Sequence, residues 1–163
     1  MRHGKRSGLI KRVVSGGQTG VDRGALDAAI ELGIEHGGWC PRGRIAEDGR
    51  ISAKYRLQET ETSDYPVRTE LNVLHADGTL ILFRDRLFGG TELTRRLAAK
   101  SAKPYLLVNL GKKADPLLVR QWIVENEIRI LNVAGPRESS CPGIGQAAHE
   151  FVRALLTHPC QSP

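Results

Sequence analysis

The sequence is poor in the features that mark membrane, fibrous and disordered proteins. Aromatic residues make up only 5 % of the 163 residues, so aliphatic side chains must build the core. No apolar run approaches the ~18 residues that cross a membrane, and there is no internal repeat or low-complexity block. Hydrophobic residues at 40 % and charged residues at 26 % are instead typical of a globular chain. The length fits a single domain.

Cysteine is also scarce. Cys40, Cys141 and Cys160 form no C-x-x-C pair, and their odd number argues against a disulfide framework. An apolar signal segment is missing too, so we expect reduced thiols and a cytoplasmic protein. His36 and Cys40 have a spacing that suits a metal ion, but no second pair of ligands accompanies them, and we expect no metal site.

Acidic residues are absent from the first twelve positions, which hold five of the 24 Lys and Arg residues. Residues 13–163 therefore carry 19 basic residues against 18 acidic ones, and the net charge of +6 belongs largely to the N-terminus. We interpret residues 1–11 as a solvated, disordered basic tail. A nucleic-acid-binding domain carries its basic surface on the fold itself, so the near-neutral remainder disfavours nucleic acid as a partner.

Apolar runs alternate with helical patterns along the rest of the chain. The runs predict strands at 12–15, 79–83, 105–108 and 128–133, and apolar residues at helical spacing predict helices at 20–32, after 89, around 118–123 and over 144–155. This alternation is typical of βαβ units. It predicts one α/β domain over 12–157, doubly wound, with a mostly parallel sheet covered by helices on both faces, followed by a short tail at 158–163.

One segment, residues 38–66, interrupts this alternation. It has little periodicity, it holds four arginines, and a loop of this length is either a mis-assigned element or a functional lid. A short helix should follow over about 66–75. We expect Val67, Leu71 and Leu74 to face the core, and Arg68, Asn72 and His75 to share another face.

Three glycine-bearing loops each follow a strand and open a helix. In a parallel sheet these loops meet at the carboxyl edge, where ligands of open α/β sheets bind, and free N–H groups at helix N-termini hold anions. The first loop has neither the Walker A nor the G-x-G-x-x-G spacing, so a plain strand-to-helix turn stays open as an alternative. Its candidates for phosphate binding are Gly16, Gly17, Gln18, Thr19, Gly20, Asp22 and Arg23. For Asp22 and Arg23, helix capping and a surface ion pair are the alternatives.

The second and third loops add further candidates. Gly89, Gly90 and Thr91 can present backbone N–H groups to a phosphate, unless Thr91 is simply an N-cap. In the third loop, Arg137 can grip a phosphate with two hydrogen bonds, and Ser139 is either a hydroxyl donor or a cap.

No set of catalytic residues is evident from the sequence. There is no Ser/His/Asp arrangement, and Glu70 and Asp77 are as compatible with a structural ion pair as with acid–base work. The catalytic residues are therefore unknown. Arg68, Glu70 and Asn72, on the predicted short helix, are candidates for the wall of a ligand pocket.

Several motifs, in order, resemble those of the putative molybdenum carrier family. They lie at residues 15–23, 37–41, 68–70, 77–80, 89–91 and 132–139, and the resemblance runs from about 12 to 156. That family belongs to a Rossmann-like group that includes the Lonely Guy phosphoribohydrolases and DNA-processing protein A. The resemblance implies a doubly wound sheet that binds a nucleotide or another phosphorylated ligand, a homo-oligomer, and molybdenum cofactor as cargo.

One departure from the wider group concerns catalysis. The Lonely Guy loop, Gly-Gly-x-Gly-Thr-x-x-Glu, places a catalytic glutamate where this chain has Thr94, and Glu92 comes two residues early. Threonine cannot act as that acid or base near neutral pH. The sequence therefore favours a carrier of a phosphorylated small molecule. The alternatives are a nucleotide sensor or phosphoribohydrolase-like enzyme acting through Asp22, Glu70 and Arg137, and a single-stranded DNA-binding module, which the near-neutral charge disfavours.

Overall fold

The computed structural model describes residues 10–157. Its strands and helices follow one another as β1 (Arg12–Val14), α1 (Val21–Glu31), β2 (Glu35–Gly37), β3 (Trp39–Cys40), β4 (Ile45–Ala46), β5 (Gly49–Arg50), β6 (Gln58–Glu59), α2 (Tyr65–Leu74), β7 (Gly78–Phe83), α3 (Gly89–Lys100), β8 (Tyr105–Asn109), α4 (Pro116–Glu125), β9 (Ile130–Ala134) and α5 (Ile144–Thr157). The α/β class is confirmed.

The central sheet has five strands in the order β2-β1-β9-β7-β8. All neighbouring strands in it are parallel. Val14, at the end of β1, pairs with Gly37 on one side and with Asn132 on the other. The loops after β1, β7 and β9 therefore emerge at one edge of the sheet, as predicted.

The main core lies on one face of this sheet. Residues on successive strand positions point to opposite faces, and the inward set on this face packs against helices α1, α4 and α5. Buried members include Val13, Ala25, Leu80, Leu82, Ile123, Leu131, Val133, Ala148 and Val152. Helices α2 and α3 pack against each other and cover the opposite face, where the side chain of Asn132 lies.

Segment 38–66 has regular structure, so the alternative of a mis-assigned element describes it, and its role as a lid stays a prediction. It contains the short strands β3 to β6, and a second core forms beneath it from Leu26, Cys40, Ala46, Ile51 and Tyr55. Arg44 stabilises this segment from within. Its guanidinium donates hydrogen bonds to the carbonyl oxygens of Ile51, Ser52, Tyr55 and Leu57.

Helix α2 buries Asn72 and Val73, so the predicted orientation is wrong for Val67 and Leu74. Val67 and Leu74 are exposed, while Asn72 is buried. The Asn72 amide pairs with both backbone groups of Trp39: its Oδ1 accepts from the Trp39 N–H at 2.8 Å, and its Nδ2 donates to the carbonyl at 3.0 Å. Asn72 thus satisfies two backbone groups of β3 that an aliphatic side chain at this position could not.

The predicted basic tail extends too far by at least two residues. Ile10 is buried in the main core, and the N–H of Lys11 donates to the carbonyl of Arg129 at 2.8 Å. The rest of that tail, the predicted tail at 158–163 and Cys160 lie outside the described residues. Between residues 10 and 157, no helix combines the length and apolarity that a membrane span requires.

Candidate functional site

A cavity of about 370 Å³ opens at the carboxyl edge of the sheet. It lies between the three glycine loops and helix α2. Nine of the predicted site residues line it: Gly16, Gln18, Asp22, Arg68, Asn72, Gly89, Gly90, Thr91 and Arg137. The volume falls in the range of small-molecule sites. We call it the main cavity.

The N-terminus of helix α3 faces the main cavity without a side-chain cap. Among residues 10–157, none accepts a hydrogen bond from the N–H of Gly89 or Gly90. A Cβ atom at either glycine would meet no other atom within 4 Å. Thr91 is the third residue of the helix, so the alternative that it is the N-cap is wrong. Free N–H groups, an open approach and the positive end of a helix dipole favour an anion at this point.

A buried ion pair forms one wall of the main cavity. The Arg68 Nη1 atom lies 3.1 Å from Asp22 Oδ2, and the side chains are 14 % and 5 % exposed. The N–H of Gln18 donates to the same carboxylate oxygen at 3.3 Å. Burial raises the pKa of the Asp22 carboxyl above its ordinary value, while the Arg68 cation opposes that rise. Arg68 therefore stabilises the charged form of the Asp22 carboxyl against the effect of burial.

The mouth of the main cavity is apolar and aromatic. Tyr65 and Phe88 line it and are both 41 % exposed, and Pro66 and Leu93 lie in the same wall. None of these four was predicted. Phe88 directly precedes the two glycines, and this position was the one local signal that pointed to it.

The floor of the main cavity includes Asn132, which was not predicted either. Asn132 is buried, and its Nδ2 lies 3.3 Å from Thr79 Oγ1. No described residue donates to its Oδ1 atom. A polar residue inside the apolar strand β9 was the signal that could have found it.

Thr94, where the Lonely Guy glutamate would stand, also lines the main cavity. Its hydroxyl donates to the carbonyl of Gly90 at 2.9 Å, so it stabilises the first turn of α3. Glu92 does not line the cavity and pairs with Arg95 at 2.6 Å. The only carboxylate among the described lining residues is that of Asp22.

Thr19 and Ser139 lie outside the main cavity, beside a second, more open depression. Their hydroxyl groups both donate to the carboxylate of Glu47, in the turn between β4 and β5. Arg23 is engaged as well: it pairs with Asp48, with Nη2 to Oδ1 at 2.7 Å, and its Nε donates to the carbonyl of Gly17. Arg23 therefore forms the ion pair that was the alternative to phosphate binding.

Gly17, Gly20 and Glu70 do not reach the main cavity either. Both glycines have φ near +80°, and a Cβ atom would lie 2.5 Å from Leu57 at Gly17 and 2.3 Å from the Pro136 carbonyl at Gly20. They serve the tight strand-to-helix turn that was the alternative to phosphate binding.

Glu70 is exposed on α2. Asp77 accepts from the N–H groups of Arg129 and Ile130, which anchors the start of β9.

His36 and Cys40, the two residues considered for a metal site, have other surroundings. The His36 Nε2 atom accepts from the N–H of Arg56 at 3.1 Å, and Cys40 is fully buried in the second core. Burial lowers the pKa of His36 and raises the pKa of Cys40. Over residues 10–157 there is no group of three His, Cys, Asp or Glu side chains placed to hold a metal ion.

A parallel sheet with helices on both faces, and a cavity at the carboxyl ends of its strands, defines a Rossmann-like α/β protein. The model of the circularly permutated YpsA SLOG family matches residues 13–156, and the chain belongs to this family. Its fold is also that of the crystal structure of a protein described as a putative molybdenum carrier protein, from Syntrophus aciditrophicus SB. The two sequences are 46 % identical, with a TM-score of 0.89 over 91 % of this chain and 96 % of the other. The family resemblance predicted from the motifs is confirmed. No curated protein matches the chain.

Proposed function

We propose that this protein binds and carries a phosphorylated small molecule, and that molybdenum cofactor is its cargo. The observation that carries the proposal is the uncapped N-terminus of α3, whose Gly89 and Gly90 N–H groups open into the main cavity. The name of the 46 % identical relative supports the choice of cargo.

The anionic end of the ligand would lie against Gly89, Gly90 and Thr91. Gly90 leaves the approach to the backbone free of side-chain atoms. Arg137, which also lines the main cavity, carries a permanent charge that suits a phosphate group, and Glu47, 3.6 Å from its Nε atom, offsets this charge only from the side of the second depression. Arg68 contributes less positive charge to the ligand, because Asp22 already neutralises it.

The other end of the ligand would lie between Tyr65 and Phe88 at the mouth. Aromatic side chains bind flat rings by stacking, and polar groups on the cavity floor give such a ring its orientation. Asn132 Oδ1 is an acceptor of this kind. A pterin and a nucleotide base both carry ring N–H groups that suit it, so we expect a flat, nitrogen-rich heterocycle.

We further propose that the protein acts in the cytoplasm as a homo-oligomer. Helix α4 supports the second point, because Leu117, Leu118 and Val124 on it are each more than half exposed. Apolar side chains grouped on one surface mark contacts between proteins. Light scattering at several concentrations tests this: a monomer at every concentration would contradict it.

The direct test is mass spectrometry of small molecules released from the protein purified from its native host. We expect an oxidised pterin phosphate, with molybdenum in the same protein fraction. A nucleotide or an ADP-ribose derivative in its place would contradict the cofactor assignment and favour a nucleotide sensor. Protein that releases neither, and binds neither when they are added, would contradict the carrier function.

A nucleotide-cleaving enzyme is the second candidate, and Asp22 is the observation that favours it. A buried carboxyl with a raised pKa, lining a cavity, is a candidate for proton transfer. Wild type and Asp22→Asn should be compared on nucleoside monophosphates. Turnover that is lost in the variant would support the enzyme, and the absence of turnover in wild type would exclude it for these substrates.

A further inference from the structure

The carboxylate of Glu47 lies among hydrogen-bond donors from two different glycine loops. Its oxygens accept from the hydroxyl groups of Thr19 and Ser139, and the N–H of Ser139 donates to Oε1 at 3.1 Å. The Nε atom of Arg137 lies 3.6 Å from Oε2. Three hydrogen-bond donors and one cation thus surround one anion, whose side chain is only 19 % exposed, while the Arg137 Nε–H itself donates to Ser140 Oγ at 3.2 Å.

These donors are not specific for a carboxylate. Two hydroxyl groups, one backbone N–H and one guanidinium are the groups that hold phosphate oxygens in proteins. The donors also come from the loops that follow β1 and β9, whereas Glu47 belongs to a hairpin outside the central sheet. Hydrogen bonds from Ser139 and Thr19 lower the pKa of Glu47, so it remains a carboxylate at neutral pH.

The Glu47 side chain can leave these donors without unfolding the hairpin. Its own N–H is held by Gln18 Oε1 at 2.9 Å, and neighbouring Ala46 is buried in the second core. Rotation about the side-chain bonds of Glu47 alone would move its carboxylate toward solvent. The Thr19 hydroxyl and the hydroxyl and N–H of Ser139 would then lose their acceptor, and Arg137 would lose its neighbouring negative charge.

We propose that Thr19, Arg137 and Ser139 form an oxyanion-binding site for a phosphate group, which Glu47 occupies as an internal competitor. The proposal goes beyond the carrier function, because Thr19 and Ser139 do not line the main cavity. Inorganic phosphate and a phosphate monoester share the recognised chemistry. Binding at this site requires Glu47 to rotate away.

Equilibrium dialysis with labelled inorganic phosphate tests the proposal on wild type, Glu47→Ala and Asp48→Ala. If Glu47 fills the site about nine-tenths of the time, its removal raises the apparent affinity about tenfold. Adding Ser139→Ala to Glu47→Ala should remove most of this gain. Asp48→Ala is the matched control: it deletes a carboxylate from the same hairpin, but that carboxylate pairs with Arg23 and not with these donors. Because it also frees Arg23 at the edge of the same depression, it reports the effect of charge alone, and it should bind phosphate well below the level of Glu47→Ala.

A folded Glu47→Ala protein that binds phosphate no better than wild type, or no better than Asp48→Ala, would overturn the proposal. If Glu47→Ala does not fold, Glu47→Ser takes its place, because its side chain stays polar and is too short to reach the donors. Gly90→Leu, added to either variant, separates this site from the main cavity. If the gain in phosphate affinity persists, it supports a distinct site. If the gain disappears, the phosphate binds in the main cavity and the proposal is overturned.

Discussion

Arg68 occupies the space that a side chain at Gly16 would need. Its Nη1 atom lies 1.5 Å from the position of a Cβ at Gly16 and 3.1 Å from Asp22 Oδ2. The missing side chain of Gly16 therefore lets the guanidinium reach a carboxylate buried behind the first glycine loop. The sequence assigned this glycine to a phosphate, whereas in the structure it accommodates an arginine.

Gly16→Ala and Arg68→Ala should destabilise the protein through the same ion pair. Removing one partner of a buried pair costs about 3–5 kcal/mol, so Arg68→Ala should lower the free energy of unfolding by about this amount. Gly16→Ala, which displaces the guanidinium, should cost less, and the double variant should cost no more than Arg68→Ala alone.

Chemical denaturation of the three variants measures this coupling. Arg95→Ala is the control, since Arg95 pairs with Glu92 on the surface of α3, and we expect its unfolding midpoint to stay near that of wild type. Additive costs for Gly16→Ala and Arg68→Ala would show that the two residues act independently.

Gly90→Leu should abolish binding in the main cavity and leave the fold intact. Gly90 has no positive φ, and a Cβ atom added there would have no neighbour within 4 Å, so the new isobutyl group projects into the cavity at no cost to packing. Ala99→Leu, on an exposed position of the same helix, controls for the substitution itself. Calorimetric titration with the ligand recovered from the native protein measures the difference. Equal affinities for the two variants would remove the α3 N-terminus from the site.

Arg137→Ala should weaken binding of the phosphorylated ligand by about 1.5–3 kcal/mol, the value of a hydrogen bond to a charged group. Arg42→Ala removes an exposed arginine that lies away from the main cavity and should leave the affinity unchanged. The same titration serves for both variants. An unchanged affinity in Arg137→Ala would assign this residue to the Glu47 contact alone.

Ile51→Ala should destabilise segment 38–66, and Ile45→Ala should not. Ile51 is 1 % exposed and belongs to the second core, whereas Ile45 is 49 % exposed in the same segment. Deleting a buried isoleucine side chain costs about 2–5 kcal/mol. Limited proteolysis provides the measurement: residues 42–56 should be cut faster in Ile51→Ala, and ligand should slow the cutting if the segment is a lid. Similar rates for both variants would contradict the packed core.

Glu47 should titrate below its ordinary pKa of 4.5, because the hydroxyl groups of Ser139 and Thr19 stabilise its charged form. A depressed pKa stabilises the folded state above pH 4.5, and this contribution is lost as the pH falls through the folded-state value. Carbon-detected NMR of the Glu47 side chain measures the midpoint. Ser139→Ala should raise it toward 4.5, and an identical midpoint in wild type and variant would contradict the contact.

The main elements of the fold could be predicted, because apolar runs such as Gly78–Phe83 lead into glycine loops. The orientation of α2 could not. Its apolar residues suggested an inward face, but the backbone of Trp39 and the carboxylate of Asp22 needed polar partners, and Asn72 and Arg68 supply them. The strand order depends on contacts between distant segments, which local patterns do not encode.

The candidate site was predictable only where one rule applies, namely that the loops after parallel strands meet at the carboxyl edge of the sheet. That rule brought Gly16, Gly89, Gly90 and Arg137 together. Glu47 was missed because its position depends on the folding of segment 38–66, whose short strands have no periodic signal. The aromatic mouth was missed for a different reason: Tyr65 reaches it through the orientation of α2, which the apolar pattern of that helix did not predict.

The position of β9 has a consequence for the order in which this chain can fold. β9 is the last strand within residues 10–157, but it lies at the centre of the sheet and links β1 to β7. Of the pairs in the central sheet, a nascent chain that ends before Ile130 holds only two, β1 with β2 and β7 with β8, and they are not joined to each other. The two halves of the main cavity therefore come together only after β9 has been synthesised, and the loop that carries Arg137 follows directly behind that strand.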